Sequence, residues 1–527
     1  MRIKDIQEYY KLSKPVAEVL KTRGYDNKFE IDMLLTDNLE ELQSPLDIPN
    51  ILKVKDRVEQ AIIDNEFICI FHDYDVDGVS SATVLYNALK QKGGMIFPLV
   101  STRERDGYSL SLDAVDIMIN NGVQLLITVD CGITSHKEIE YAEDNGIDVI
   151  VIDHHNAVSP PIDLYIDLKV SSGEYMFTEL SACGVVWKFT QVLLDDNNYQ
   201  DLDLVALSTV ADLVPLLNEN RIIVKNGIKQ MEKTDKTGLS ALLDNANLKE
   251  ISSGDIGYKV APMINAMGRL GKNDTSFNLL TATDIEKSKE LAGELFAKNQ
   301  LRKHLQKDIL KEVRENVDTT QNIILYKGDI PKGLTGLVAG DLLQEYHKPA
   351  IVINEHTGKG SGRSLSPLNL QEYLQNHLDI IDYASGHSKA FGIGLPVKKF
   401  SKFKKRLYSE LKDIEYKWVN FDISLNPDLV NFDLIEQINR FKPFGIGFSS
   451  FKFKTNVKKA TEIRLIGADN SHLKFKVDGI DCIAFSMSEQ LDMVENGNFE
   501  MIYSPSINKF RGKESVQLMV KSIKERW

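Results

Sequence analysis

The stretch Phe67-Ile-Cys-Ile-Phe-His-Asp73-Tyr-Asp75-Val-Asp77-Gly78 sets the reading of the whole chain. A short, wholly apolar run is followed at once by three aspartates at alternate positions. Wholly apolar runs belong to strands buried on both faces, as in a parallel sheet between helical layers. If the segment stays extended, Asp73, Asp75 and Asp77 face the same way. Three carboxylates so close repel one another unless cations lie between them. Taken alone, the pattern suits a surface acidic turn as well.

Working outward, the same grammar recurs. Leu125-Leu-Ile-Thr-Val129 ends at Asp130-Cys-Gly132, and Val149-Ile-Val-Ile152 ends at Asp153-His-His-Asn156. Amphipathic helical stretches separate these runs. In open α/β sheets ligands bind beyond the carboxyl ends of the strands, so the acidic motifs are expected in one crevice. A fourth motif, Thr209-Val-Ala-Asp212-Leu-Val-Pro215, sets one aspartate in an apolar helical stretch, where a charge needs a partner or a metal. Imidazole beside carboxylate suits Mn²⁺, Zn²⁺ or Fe²⁺ better than an all-oxygen cage. Together the motifs offer ligands for two divalent ions. Two ions about 3.5–4 Å apart can activate water and stabilise a phosphate under attack, which is phosphoesterase chemistry.

The 527 residues exceed what one hydrophobic core organises, and 43% apolar with 26% charged residues is the balance of a globular protein. No apolar run approaches the roughly 18 residues of a membrane span. Met1-Arg-Ile-Lys-Asp shows no apolar leader pattern, and Cys69, Cys131, Cys183 and Cys482 lack CxxC spacing. Neither a disulfide framework nor a structural zinc site is expected, and the default compartment is the reducing cytoplasm. Net charge is −13, yet residues 401–527 carry 21 Lys and Arg against 17 Asp and Glu. An acidic body suits a carboxylate site offset by cations, and a basic end suits a phosphate backbone.

Five segments are expected in order. Residues 1–60 form a polar helical segment, and 61–282 an α/β catalytic domain. Residues 283–318 form one long connecting helix, opened by the capping box Thr283-Asp-Ile-Glu286. Leu301, Leu305, Ile309, Val313 and Val317 give it an apolar stripe. Residues 319–405 form a smaller α/β domain. Residues 406–527 carry short alternating runs, as in a small antiparallel barrel. Phe451, Phe453, Phe475, Tyr503 and Phe510 are interleaved there with lysines. About half of these rings are expected to stack on nucleic acid and the rest to fill the barrel.

The ordered set DYDVDG, VDCG, DHHN and STVADLVP resembles motifs I to IV of the DHH phosphoesterase superfamily. Other stretches resemble its RecJ exonuclease family in particular. They include Arg103-Glu-Arg-Asp-Gly-Tyr-Ser-Leu110, Ala261-Pro-Met-Ile-Asn-Ala-Met-Gly-Arg269, Ser361-Gly-Arg-Ser364 and Pro443-Phe-Gly-Ile-Gly447. The resemblance implies an α/β architecture: a parallel-sheet DHH domain, a long helix, a smaller α/β DHHA1 domain and a C-terminal OB-fold β-barrel. It implies metal ligation by Asp73, Asp75, Asp77, Asp130, His154 and Asp212, with two Mn²⁺ or Mg²⁺ ions as cofactors.

His155 would act catalytically with Asp130 by contacting the scissile phosphate, although the residues alone allow it to be a further metal ligand. Arg103, Ser361 and Arg363 would form a 5′-phosphate pocket. Tyr108 and His387 would lie along the strand, with Asn265 and Arg269 on backbone phosphates. Met263 stands where the family often has arginine. The implied activity is 5′→3′ exonucleolysis of single-stranded DNA in recombination and repair. The enzyme would be a monomer in the cytoplasm, off the membrane, associated with a helicase and a single-strand-binding protein. Two alternatives are a phosphodiesterase on short oligoribonucleotides or cyclic dinucleotides, and a replication-associated single-strand-binding module with a relict site.

Overall fold

The structure, a computed structural model, describes the chain apart from residues 103–108, 172, 249, 271–273, 415, 417–419, 468–469, 511 and 526–527. At residues 387 and 510 the description is confined to the backbone. Two units form. One comprises Leu42–Val214 and Asn226–Trp418, and the other Met1–Glu41, Pro215–Lys225 and Val419–Trp527.

The first unit is built on the apolar runs. β1 (Phe67–His72), β2 (Met95–Val100), β3 (Leu125–Val129), β4 (Asp148–Ile152) and β5 (Tyr165–Ile166) form a parallel sheet in the order β2-β1-β3-β4-β5. Every residue of β3 is buried, as wholly apolar central strands require. On one face Leu110, Val115, Met118, Ile139 and Ala142 pack against Cys69, Phe71, Leu126 and Val149. The helix Val76–Gln91 is buried along most of its length and packs against the helices Ala182–Leu194 and Leu202–Ala211.

A second sheet in this unit runs β6 (Ile324–Gly328), β7 (Ala350–Asn354), β8 (Lys359–Arg363), β10 (Ala390–Gly394) and β9 (Tyr383–His387). β6 and β7 are parallel and the remaining pairs antiparallel. A 32-residue helix, Ile285–Asn316, precedes it; at 1.5 Å per residue it is about 48 Å long. Its cap is Asp284, whose side chain accepts the Lys287 N–H at 2.7 Å, one residue later than the expected Thr283. Of the expected stripe, Val313 is buried and Leu305, Ile309 and Val317 are partly so, but Leu301 is 48% exposed.

The second unit draws on three separated parts of the chain. β11 (Ile423–Ser424), β12 (Phe453–Val457), β13 (Thr461–Ile466), β14 (His472–Val477), β15 (Ile480–Ala484), β16 (Phe499–Phe510) and β17 (Lys513–Glu525) form one sheet. Its order is β11-β12-β16-β17-β15-β14-β13. The helices Ile3–Tyr10, Lys14–Thr22 and Lys28–Leu35 share its core. The 1–60 segment is therefore divided, because Ile51–Ile63 belongs to the first unit.

Arg221 ties the second unit together. It is fully buried and donates to the carbonyls of Leu34, Leu216, Phe441 and Pro443. Burial without a carboxylate partner pushes its guanidinium down to about 10. Phe451, Phe453, Phe475 and Tyr503 are all in this core, so the expected even division of the aromatics shifts toward packing. Exposed rings sit elsewhere, at Phe421 and Phe485. Among the described residues no helix is long and apolar enough to cross a membrane.

Candidate metal centre

Strand register sets the site. His72 is level with Val129, Val129 with Ile152, and Ile152 with Ile166. The next residue on each strand is an aspartate: Asp73, Asp130, Asp153 and Asp167. Four aspartates therefore follow the carboxyl ends of four neighbouring strands. The first three are legible in the sequence; the fourth is not, because β5 has only two residues, too few to show a period.

Motif I is not fully extended as expected. Asp75 is the N-cap of the helix Val76–Gln91, its side chain accepting the N–H groups of Asp77 (2.9 Å) and Gly78 (3.1 Å). The helix turns so tightly that a Cβ on Gly78 would lie 2.4 Å from the Asp73 carbonyl oxygen. Asp77 is buried, and its carboxylate takes the N–H groups of Ala182 and Cys183, each at 2.9 Å, and the Ser208 hydroxyl. Asp73 accepts from the Tyr74 N–H and the Ser101 hydroxyl. Asp130 sits in the left-handed region at φ 60°, followed by Gly132 at φ 108°. Asp212 closes the helix Leu202–Ala211 at its carboxyl end, so it leaves the apolar stretch rather than interrupting it.

These elements bring the acidic groups to one imidazole. His154 Nε2 lies 3.3 Å from Asp130, 3.7 Å from Asp77 and 3.7 Å from Asp212. Burial pushes the His154 ring down to about 4, so it is neutral at pH 7 and these approaches are not ion pairs. Neither ring nitrogen has a hydrogen-bond partner among the described residues. A buried imidazole lone pair facing three carboxylates matches a metal-ligand set. Ligand atoms of Asp77, His154 and Asp212 gather within 4.8 Å, as do those of Asp73, Asp75 and Asp130, and those of Asp130, His154 and His155. Asp130 belongs to two of these groups and so stands between them. Burial, then mutual repulsion, raises the carboxyls of Asp75, Asp130 and Asp212, the last two well above the usual range. Divalent cations relieve that cost, and three groups linked through Asp130 and His154 fit a pair of them.

His155 is a different case. Its Nδ1 lies 2.7 Å from Asp153, and its side chain is 44% exposed. Burial opposes protonation, but Asp153, reinforced by Asp212 and Asp77, outweighs it and raises the ring to about 9. Asp153 in turn accepts the N–H groups of Ile133, His154 and His155. Although burial acts against it, His155 and these bonds keep Asp153 well below the usual carboxylate range.

The substrate-binding expectations distribute as follows. Ser361 Oγ is 2.9 Å from Thr335 Oγ1, and a Cβ on Gly336 would lie 3.0 Å from Arg363 Nη2. Ser361 and Arg363 therefore meet at the start of the helix Thr335–Tyr346. Arg269 donates to the Gly333 carbonyl at 3.0 Å, two residues before that helix. In the sheet, Ala390 is paired with Arg363 on one side and His387 on the other. Asn265 accepts the Val76 N–H at 3.1 Å, fastening the first turn of the helix between Asp75 and Asp77. Arg103 and Tyr108 lie outside the described residues.

A parallel sheet with strand-end aspartates and a paired histidine motif defines a DHH-type phosphoesterase centre, and the model of the DHH family N-terminal domain matches residues 67–215. The RecJ OB domain matches residues 421–522. The single-stranded-DNA-specific exonuclease RecJ of Bacillus subtilis is 30% identical over 546 residues, 99% of this chain and 69% of that protein. The RecJ of Haemophilus influenzae is 30% identical, covering 95% of this chain and 94% of its own. The chain belongs to the RecJ family. The crystal structure of RecJ in complex with Mn²⁺ from Thermus thermophilus shares the fold, with TM-score 0.86 and 24% identity over 100% of this chain and 78% of that one.

Proposed function

We propose that this chain is a metal-dependent exonuclease that hydrolyses single-stranded DNA from a 5′ end, in recombination and repair. The observation that carries the reading is His154: buried, neutral, unpartnered, and facing three carboxylates at 3.3–3.7 Å. Asp75, Asp77, Asp130, His154 and Asp212 would hold the ions, with Asp73 beside them. Mn²⁺ fits the mixed nitrogen and oxygen donors, and Mg²⁺ the oxygen-only group. Bound there, a pair of divalent ions supplies Lewis acidity and a more acidic water.

The chain's own groups do the rest. Asp153 fixes the His155 ring through Nδ1, leaving Nε2 to donate to a phosphate oxygen as charge develops. Arg363, with Ser361 and Thr335 at a helix start, would take a terminal 5′-phosphate, since a guanidinium fork and free N–H groups both suit that anion. Arg103 would join that pocket, Tyr108 and His387 would lie along the strand, and Asn265 and Arg269 would take backbone phosphates. The proposal extends to a cytoplasmic monomer acting on strands opened by a helicase and covered by single-strand-binding protein. End-labelled single strands should be shortened from the 5′ end with Mn²⁺ or Mg²⁺ and left whole in EDTA. Cleavage that persists in EDTA would overturn the reading.

A further inference from the structure

A lysine that no motif singles out follows the strand that flanks the metal centre. β5 pairs with β4 through Val151 with Tyr165 and Ile152 with Ile166, and the Ile166 carbonyl accepts the Asp153 N–H at 3.0 Å. The chain therefore leaves the sheet alongside His154 and His155. Asp167 follows, fully buried, and its Oδ1 accepts the N–H groups of Lys169 (2.8 Å) and Val170 (3.3 Å). Its carbonyl accepts the Ser171 N–H at 2.9 Å. The turn that carries Lys169 is thus pinned from inside.

The other end of the side chain is placed as well. Lys169 Nζ lies 3.9 Å from Glu179, three residues before Ala182, whose N–H supports Asp77. Only 14% of the Lys169 side chain is exposed, against 46% for Glu179. At that distance the pair is no hydrogen bond, and a half-exposed partner neutralises little of a sheltered ammonium. The Lys169 charge acts on both His154 and Asp212. A fixed cation beside a cation-binding cluster works against metal loading. It is accounted for if an anion enters between them.

We propose that Lys169 is a catalytic residue whose ammonium contacts a non-bridging oxygen of the phosphate bound at the metal centre, opposing its charge together with His155. A lysine suits this as a point charge on a flexible stem. The proposal rests on the reading of the cleft as a phosphodiester-hydrolysing site. It separates Lys169 from the ligands: they favour the ions, whereas Lys169 repels them and favours the substrate.

That opposition gives the test. In Lys169→Met, kcat on a 5′-phosphorylated oligonucleotide should fall by about a hundredfold. Mn²⁺ binding without DNA, read by calorimetry, should tighten by roughly threefold. Lys169→Arg should recover part of kcat, and Glu179→Gln should cleave like the wild type. Unchanged kcat in Lys169→Met overturns the proposal. So does a loss of kcat with weaker Mn²⁺ binding, which marks a structural role, or a Glu179→Gln variant that reproduces the defect. A wild-type protein that binds no Mn²⁺ and cleaves nothing would sink the reading of the cleft itself, a result distinct from all of these.

Discussion

The Asp153 carboxylate lies 2.7 Å from Nδ1 of His155 and makes that ring an imidazolium at neutral pH. A folded-state pKa above the unfolded one means that protonation, and the stability it adds, are complete below about 6.5. Both are lost as pH rises through about 9. Cleavage that needs the charged ring should therefore decline on the alkaline side near that pH. In Asp153→Asn the alkaline limb should move toward the ordinary histidine range, and His155→Ala should lose about 10²–10³ in kcat. pH–rate profiles with saturating metal check both; an unmoved limb in Asp153→Asn would contradict the pairing.

The raised carboxyls of Asp75, Asp130 and Asp212 have the opposite consequence for the metal-free protein. Their ionisation costs stability, so that cost is absent below the ordinary carboxylate range and grows as pH climbs from there to their raised values. The rise in Tm on adding Mn²⁺ should be larger at pH 8 than at pH 5.5. Asp130→Asn should melt higher than the wild type without metal, yet show no cleavage. Thermal melts with and without Mn²⁺ test this, and a Tm gain independent of pH would count against it.

Gly78 is confined by the Asp73 carbonyl, 2.4 Å from where a Cβ would sit. Gly78→Ala must displace the backbone of either Asp73 or the first turn of the helix Val76–Gln91. We expect a loss of about 2–4 kcal/mol in stability, with cleavage falling further than stability alone explains. Urea unfolding alongside kcat separates the two effects.

Arg363 beside Gly336, Ser361 and Thr335 is expected to read the end of the strand. Arg363→Ala should bring the rates on 5′-phosphorylated and 5′-hydroxyl strands close together, a change of about tenfold or more in their ratio. Paired substrates of identical sequence measure it. A ratio that stays at the wild-type value would remove Arg363 from the pocket.

Arg221 is enclosed among backbone carbonyls in the second unit. Arg221→Met leaves those acceptors unpaired and should cost about 3 kcal/mol or more. Denaturation followed by a probe in residues 419–527 should show the shift first, with cleavage of very short strands less affected.

Much of this was legible in the chain itself, for a physical reason. Central parallel strands must be apolar throughout, so β1, β3 and β4 declare both their burial and their carboxyl ends. Residues at those ends must then converge. What escaped the sequence depends on contacts remote in it. Asp167 follows a strand too short to show a period. The helices Ile3–Tyr10, Lys14–Thr22 and Lys28–Leu35 find their core against residues 419–527. The barrel aromatics alternate with lysines, but alternation says which residues share a face, not whether that face is covered, and Phe451, Phe453 and Phe475 prove to be core. On spacing alone Asp75 fits an extended run, but a carboxylate before a helix also caps it.

The decisive measurement is anomalous diffraction at the Mn²⁺ edge from crystals of the wild-type protein grown with that ion. Two peaks about 3.5–4 Å apart are expected, bounded by Asp75, Asp77, Asp130, His154 and Asp212. A map without manganese among these side chains, or with them turned away from it, would overturn the two-ion centre.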